Sequence, residues 1–174
     1  MKRLLIMALG MGLFTVLAGT GLAQGNPRET AKLSVKGSAI SVEYGRPSLK
    51  GRSVDELLGQ LGENAVWRLG ADKATTFSTA TDLAFGGVTI PKGEYSLWAR
   101  RKGDKIWELV FNKQHGQWGT RHDASQDLAA VPLKETKTTA PEEMVTISLA
   151  AEGKGGVIAI QWGNMKLTAN FTAK

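Results

Sequence analysis

The chain has 174 residues, enough for one domain burying roughly two thirds of its unfolded surface. It contains no Cys, which excludes a disulfide framework, a thiol nucleophile and a lipoprotein attachment site. Its formal charge of +6 falls to +4 once Lys2 and Arg3 are set aside, and the remaining cations are scattered rather than striped, which argues against nucleic acid as a partner.

Lys2 and Arg3 precede an apolar run from Leu4 to Ala18, and Gly21-Leu22-Ala23 stand before Gln24. This is the pattern of a secretory signal over residues 1–23, with the mature protein, residues 24–174, expected as a single β-sandwich domain in the periplasm or outside the cell. The apolar core is short for a membrane span of about 20 residues, so no stable membrane anchor is expected after cleavage.

Apolar and polar residues alternate through Leu33 and Val35 and again through Ile40, Val42 and Tyr44, which predicts a hairpin turning at Gly37-Ser38. Ser53-Val54-Asp55-Glu56 has the capping-box pattern, followed by Leu57, Leu58 and Leu61, and predicts one short helix near residues 54–61. Strand-length segments follow at 75–79, 83–85, 88–90, 94–101 and 105–112. Pairing across Lys102-Gly103-Asp104 sets Tyr95 opposite Phe111, Leu97 opposite Leu109 and Ala99 opposite Trp107, six side chains on one face, and sends Trp98 to the other face opposite Glu108. Residues 134–143 are polar and read as a long connection before a strand at 144–149. Gly163-Asn164 reads as the turn of a last hairpin, aligning Ile158, Ile160 and Trp162 with Met165, Leu167 and Ala169. The fold class expected is all-β, an antiparallel β-sandwich or jelly-roll-like barrel with one short helix.

Two corners concentrate the chemistry. Tyr44 to Arg52 carries Arg46, Lys50 and Arg52, and Val66 to Phe77 carries Trp67, Arg68, Gly70 and Asp72, with Gly70 expected to permit the turn. The four cations of these corners, Arg46, Lys50, Arg52 and Arg68, suit a carboxylate, phosphate or sulfate, because guanidinium forks bind such groups bidentately. A competing structural reading has Arg46 and Arg68 satisfying carbonyls and pairing with Glu43 or Asp72. Of the five Trp, Trp107 and Trp162 fall on apolar faces and are assigned to the core. Trp98 and Trp118 are candidates for stacking on a sugar ring or for edge packing. His115, His122 and Asp123 share one loop, but their spacing matches no metal motif, so no metal is expected. The chain shows no Gly-x-Ser-x-Gly elbow, no His-Glu-x-x-His and no phosphate loop, and no cofactor is expected.

The motifs Arg46-Pro47-Ser48, Lys50-Gly51-Arg52, Val66-Trp67-Arg68, Gly70-Ala71, Ala74-Thr75-Thr76, Gly93-Glu94-Tyr95-Ser96-Leu97, Phe111-Asn112-Lys113 and Trp118-Gly119, in this order, resemble the secreted bacterial family catalogued as domain of unknown function 2911. The resemblance covers roughly residues 31–171. The family pattern has Asn and Glu where this chain has Asp72 and Lys73. It implies export and one β-rich domain, and supplies no reaction. The function expected is therefore non-catalytic binding of a small anionic or carbohydrate ligand by Arg46, Arg52, Trp67, Arg68, Asp72 and Trp118. Two alternatives stand beside it: a hydrolase-like enzyme using Glu43 or Asp72 with a loop His, and a structural domain meeting a cell-envelope partner.

Overall fold

The computed structural model describes residues 25–174; the expected signal segment and cleavage site lie outside them. Ten antiparallel strands form the frame: β1 Arg28–Val35, β2 Ser38–Gly45, β3 Val66–Trp67, β4 Thr76–Thr79, β5 Leu83–Phe85, β6 Val88–Ile90, β7 Gly93–Gly103, β8 Ile106–Asn112, β9 Asp127–Glu152 and β10 Gly155–Ala173. They run in the order β1-β2-β4-β7-β8-β9-β10-β5-β6, with β3 paired to β7. The start of β9, Asp127 to Leu133, pairs with β8 and the rest, from Lys134 onward, with β10, so one long strand carries the chain from one layer of a sandwich to the other. The inner faces close on a shared core. Val42, Phe77, Leu97 and Phe111 from the β8 side pack with Phe85, Ile158, Leu167 and Phe171 from the β10 side, and Phe85 lies 5.2 Å from Phe111 and 5.3 Å from Phe171 between ring centroids.

The alternation predicts the faces correctly and misplaces several partners. In the first hairpin the turn is Lys36-Gly37, with Val35 opposite Ser38, because a two-residue turn of this hand needs positive φ at both central residues and these two have +50° and +79°. In the β7–β8 hairpin the partners are Leu97 with Phe111, Ala99 with Leu109 and Arg101 with Trp107, two residues from the expected register, and Trp98 faces Val110 rather than Glu108. A bulge beside Gly103 moves the turn to Asp104-Lys105. A slip of two preserves the side of every residue, so the six expected core side chains are all buried.

The expected C-terminal hairpin is absent: β10 runs straight through Gly163-Asn164, and its true turn with β9 is at Gly153-Lys154. Gly163, at φ +56°, lies between two register shifts against β9, and its left-handed backbone breaks the alternation of β10, so the buried positions change phase from Ile158, Ile160 and Trp162 to Met165, Leu167 and Ala169. A turn and a break of this kind produce the same change of parity. Residues 134–143 are likewise strand rather than connection. Between the pairs Lys137–Met165 and Thr146–Gln161, β9 holds five more residues than β10, and this bulged, mostly exposed stretch pairs elsewhere. Leu49 N–H donates to Glu143 O at 3.0 Å and Val145 N–H to Pro47 O at 3.0 Å.

The helix α1, Val54–Leu58, has the expected capping box: Glu56 N–H donates to Ser53 Oγ at 3.1 Å and Ser53 N–H to the Glu56 carboxylate at 2.7 Å. It is shorter than expected, because Gly59 ends it and Leu61 reaches the core from the following turn.

Candidate functional site

The two corners meet backbone to backbone. A Cβ on Gly45 would lie 2.3 Å from Ala71 O, and one on Gly70 would lie 2.8 Å from Gly45 O. Gly70 is therefore needed for close approach; the left-handed positions of this corner are Leu69 at φ +52° and Asp72 at φ +62°, which corrects the expectation that Gly70 makes the turn. Such residues persist where their surroundings over-determine them. Here Thr75 Oγ1 donates to Arg68 O and Leu69 O at 3.2 and 3.3 Å, and the loop after β8 holds the outer side, with Gly119 N–H donating to Asp72 O at 2.7 Å and Ala74 N–H to Gln117 O at 2.9 Å.

The first corner is pinned to β9. Arg46 Nε donates to Val145 O at 3.0 Å, its Nη2 to Thr146 Oγ1 at 2.9 Å, and its Nη1 pairs with Glu29 at 2.8 Å. Ser48 Oγ donates to the Glu143 carboxylate, which also accepts Lys50 N–H at 2.9 Å. The Ser48 hydroxyl, then the Lys50 amide, hold the Glu143 carboxyl below the usual range.

Between the corners opens a cleft of about 430 Å³. Pro47, Ser48 and Arg52 come from the first corner, Leu57, Leu58 and Leu61 from α1 and the turn after it, and Val66, Trp67, Arg68 and Gly70 from β3 and the second corner. Trp98 of β7, Gly119, Thr120 and His122 of the loop, and Trp162 of β10 complete it. Trp67 and Trp162 stack at 5.7 Å and 11°, and both are buried. The Trp162 indole N–H is buried without an acceptor among the described residues. Arg52 and Arg68 are each held by Nε, to Leu49 O at 3.0 Å and Gly70 O at 3.1 Å. The Arg68 stem lies against Gly119, whose added Cβ would sit 3.0 Å from Arg68 Cδ.

Of the six residues expected at the site, Arg52, Trp67 and Arg68 line this cleft, and Arg46, Asp72 and Trp118 do not. Arg46 is a fastener between β2 and β9. The Asp72 carboxylate accepts from Asn26, N–H at 3.1 Å and Nδ2 at 3.3 Å. Trp118 is half exposed and pairs through its backbone with Lys73. The expected pairings also differ: Glu43 meets Arg28 at 2.9 Å, Arg46 meets Glu29, and the carboxylate beside a loop His is Asp127, 2.8 Å from His122 Nε2. His115 lies 3.7 Å from Glu94, and Asp123 caps a 3-10 turn at Ala124–Gln126. Among the described residues no three His, Asp or Glu gather to hold a metal.

Sequence reasoning passed over Ser48, Trp98, His122 and Trp162 as members of one cleft. Trp98 is buried on the outer side of β7 with Ala74 and Val110, its Nε1 donating to Ser96 Oγ at 2.9 Å and its ring 4.9 Å from His122. The available signal was a large aromatic on an otherwise polar face, which calls for a cover, and the loop of residues 113–126 is that cover.

A family described as Protein of unknown function (DUF2911) matches residues 26–171. Neither the curated proteins nor the solved structures compared contain a match. With the family match running from the segment that ties down Asp72 to the last turn of β10's core face, and with the motifs of both corners inside it, this chain belongs to the family of unknown function 2911.

Proposed function

We propose that this is an exported, non-catalytic domain that binds a small anionic ligand in the cleft between the two corners. One observation carries the reading: Arg52 and Arg68 line the cleft, no carboxylate does, and most of the remaining lining is apolar. Each guanidinium is fixed through Nε to a backbone carbonyl, and their terminal nitrogens have no protein partner among the described residues. A fork held in this way gives up less freedom on binding a carboxylate, phosphate or sulfate. The cleft's volume lies in the range of small-molecule sites, and the buried Trp162 N–H offers a further donor. Sugar stacking has weaker support, because Trp67, Trp98 and Trp162 are each less than 10% exposed and Trp118 lies outside the lining.

Calorimetric titration with benzoate, phosphate and sulfate against neutral sugars tests the reading. An anion is expected to bind, with Arg52→Ala and Arg68→Ala each weakening it about tenfold or more. Saturable binding of a neutral sugar, unchanged in both variants, would overturn it. For export, the mature protein is expected to begin near Gln24 by N-terminal sequencing, and an exported protein still starting at Met1 would refute cleavage.

A further inference from the structure

His122 lines the cleft with both arginines, yet the group that holds its ring does not. Nε2 is 2.8 Å from Asp127 Oδ1, and Asp127 is in turn paired with Arg100 and accepts Asn112 Nδ2–H at 2.8 Å. The ring leans on Trp98 at 52°. A carboxylate can only accept, so the proton of that bond sits on Nε2, and the second ring nitrogen, Nδ1, has no partner among the described residues. A histidine serving only to tie the loop to β9 needs the Asp127 bond and nothing else. This one is also a lining residue of the cleft, on the same loop segment as Gly119, against which the Arg68 stem rests.

We propose that His122 is the specificity-determining residue of the cleft and selects a small hydroxy acid, the arginines taking the acid group and Nδ1 taking the hydroxyl. A hydroxyl both donates and accepts, so it suits Nδ1 whether that nitrogen carries a lone pair or a proton. An aliphatic or aromatic body fits the leucine and tryptophan walls. The Asp127, Arg100 and Asn112 network fixes the ring before the ligand arrives, and a preorganised polar group discriminates more sharply than a mobile one.

This inference rests on the anion-binding reading, and the test separates the two. Three matched pairs are titrated by calorimetry into the mature protein and into His122→Phe, which keeps an aromatic ring on Trp98: lactate and propionate, mandelate and phenylacetate, 3-phenyllactate and 3-phenylpropionate. In at least one pair the hydroxy acid is expected to bind about tenfold or more tightly than its deoxy partner. In His122→Phe that preference falls to about onefold. Equal binding within every pair, or a preference that survives His122→Phe, overturns the role of His122 and leaves the arginine reading standing. If no acid of any pair binds while phosphate or sulfate does, only the role of His122 fails; if none of these anions binds, both fail. His122→Gln, which retains polar atoms without a ring, is the second variant; restoration of part of the preference supports a polar contact, and none is expected if the ring serves only as packing.

Discussion

Arg46→Ala separates a fastener from a ligand-binding cation. The side chain is one quarter exposed and makes three contacts: Val145 O and Thr146 Oγ1 of β9, and Glu29 of β1. Removing it leaves a strand carbonyl and a hydroxyl with poorer partners. Hydrogen bonds of this kind contribute about 0.5–1.5 kcal/mol each, and a half-exposed ion pair to Glu29 adds at most about 1 kcal/mol. The expected loss is about 2–3 kcal/mol, which for a domain of this size lowers the melting temperature by roughly 4–12 °C. Arg68→Ala gives up one hydrogen bond, to Gly70 O, and some packing on Gly119, so its cost is about 1 kcal/mol. Thermal melts and urea titrations of the mature protein and both variants measure the contrast. An Arg46→Ala protein melting within about 1 °C of the parent, or an Arg68→Ala protein less stable than Arg46→Ala, would refute the assignment of Arg46 to structure and Arg68 to the site.

Gly45→Ala forces a Cβ to within 2.3 Å of Ala71 O, a clash with backbone that side-chain motion cannot relieve, and is expected to cost about 3 kcal/mol or more in urea unfolding. Trp67→Ala removes one half of the stack with Trp162 and is expected to cost about 3–5 kcal/mol, whereas Trp118→Ala, at a half-exposed position, stays within about 0.5 kcal/mol. Glu143 is held below the usual carboxylate range by Ser48 and Lys50, so its stabilising effect on the first corner is complete above the ordinary glutamate range and is lost as pH falls through its depressed value. Amide exchange at Lys50, corrected for its intrinsic pH dependence, is expected to lose protection on acidification in the parent and to be already less protected in Glu143→Ala, which lacks the acceptor, at neutral pH.

How much of this was legible depended on whether a feature is local. The capping box of Ser53 and Glu56 acts over three residues, and α1 begins where it says. Leu83–Phe85 and Val88–Ile90 are strands with the expected bounds, since two turn glycines, Gly86 and Gly87, separate them. The faces of β7 and β8 follow from a period of two, which survives a two-residue slip, so the core was readable while the partner of Trp98 was not. Gly163 shows the limit most clearly. The alternation changes phase there, and only the presence of β9 alongside both halves of β10 makes it a break within one strand rather than a turn. Residues 134–143 carry no apolar alternation because their outer side is exposed, and backbone pairing to the Pro47–Leu49 corner needs none.

By itself the sequence determined an all-β chain, the inward faces of its strands, one capped helix, the absence of thiol chemistry and the concentration of cations at two corners. These depend on composition and on spacings of a few residues, which the backbone periods translate directly into sides of a strand or turns of a helix. Tertiary structure alone decided that Arg46 is bound to β9 while Arg52 and Arg68 line a cleft, and that His122 meets Asp127 rather than Glu43 or Asp72. Arg46 and Arg68 are alike as sequence. What separates them is which carbonyls and carboxylates arrive from 99 residues away for one and from 2 residues away for the other, and such long-range pairing is set by packing of the whole sandwich, not by any local pattern.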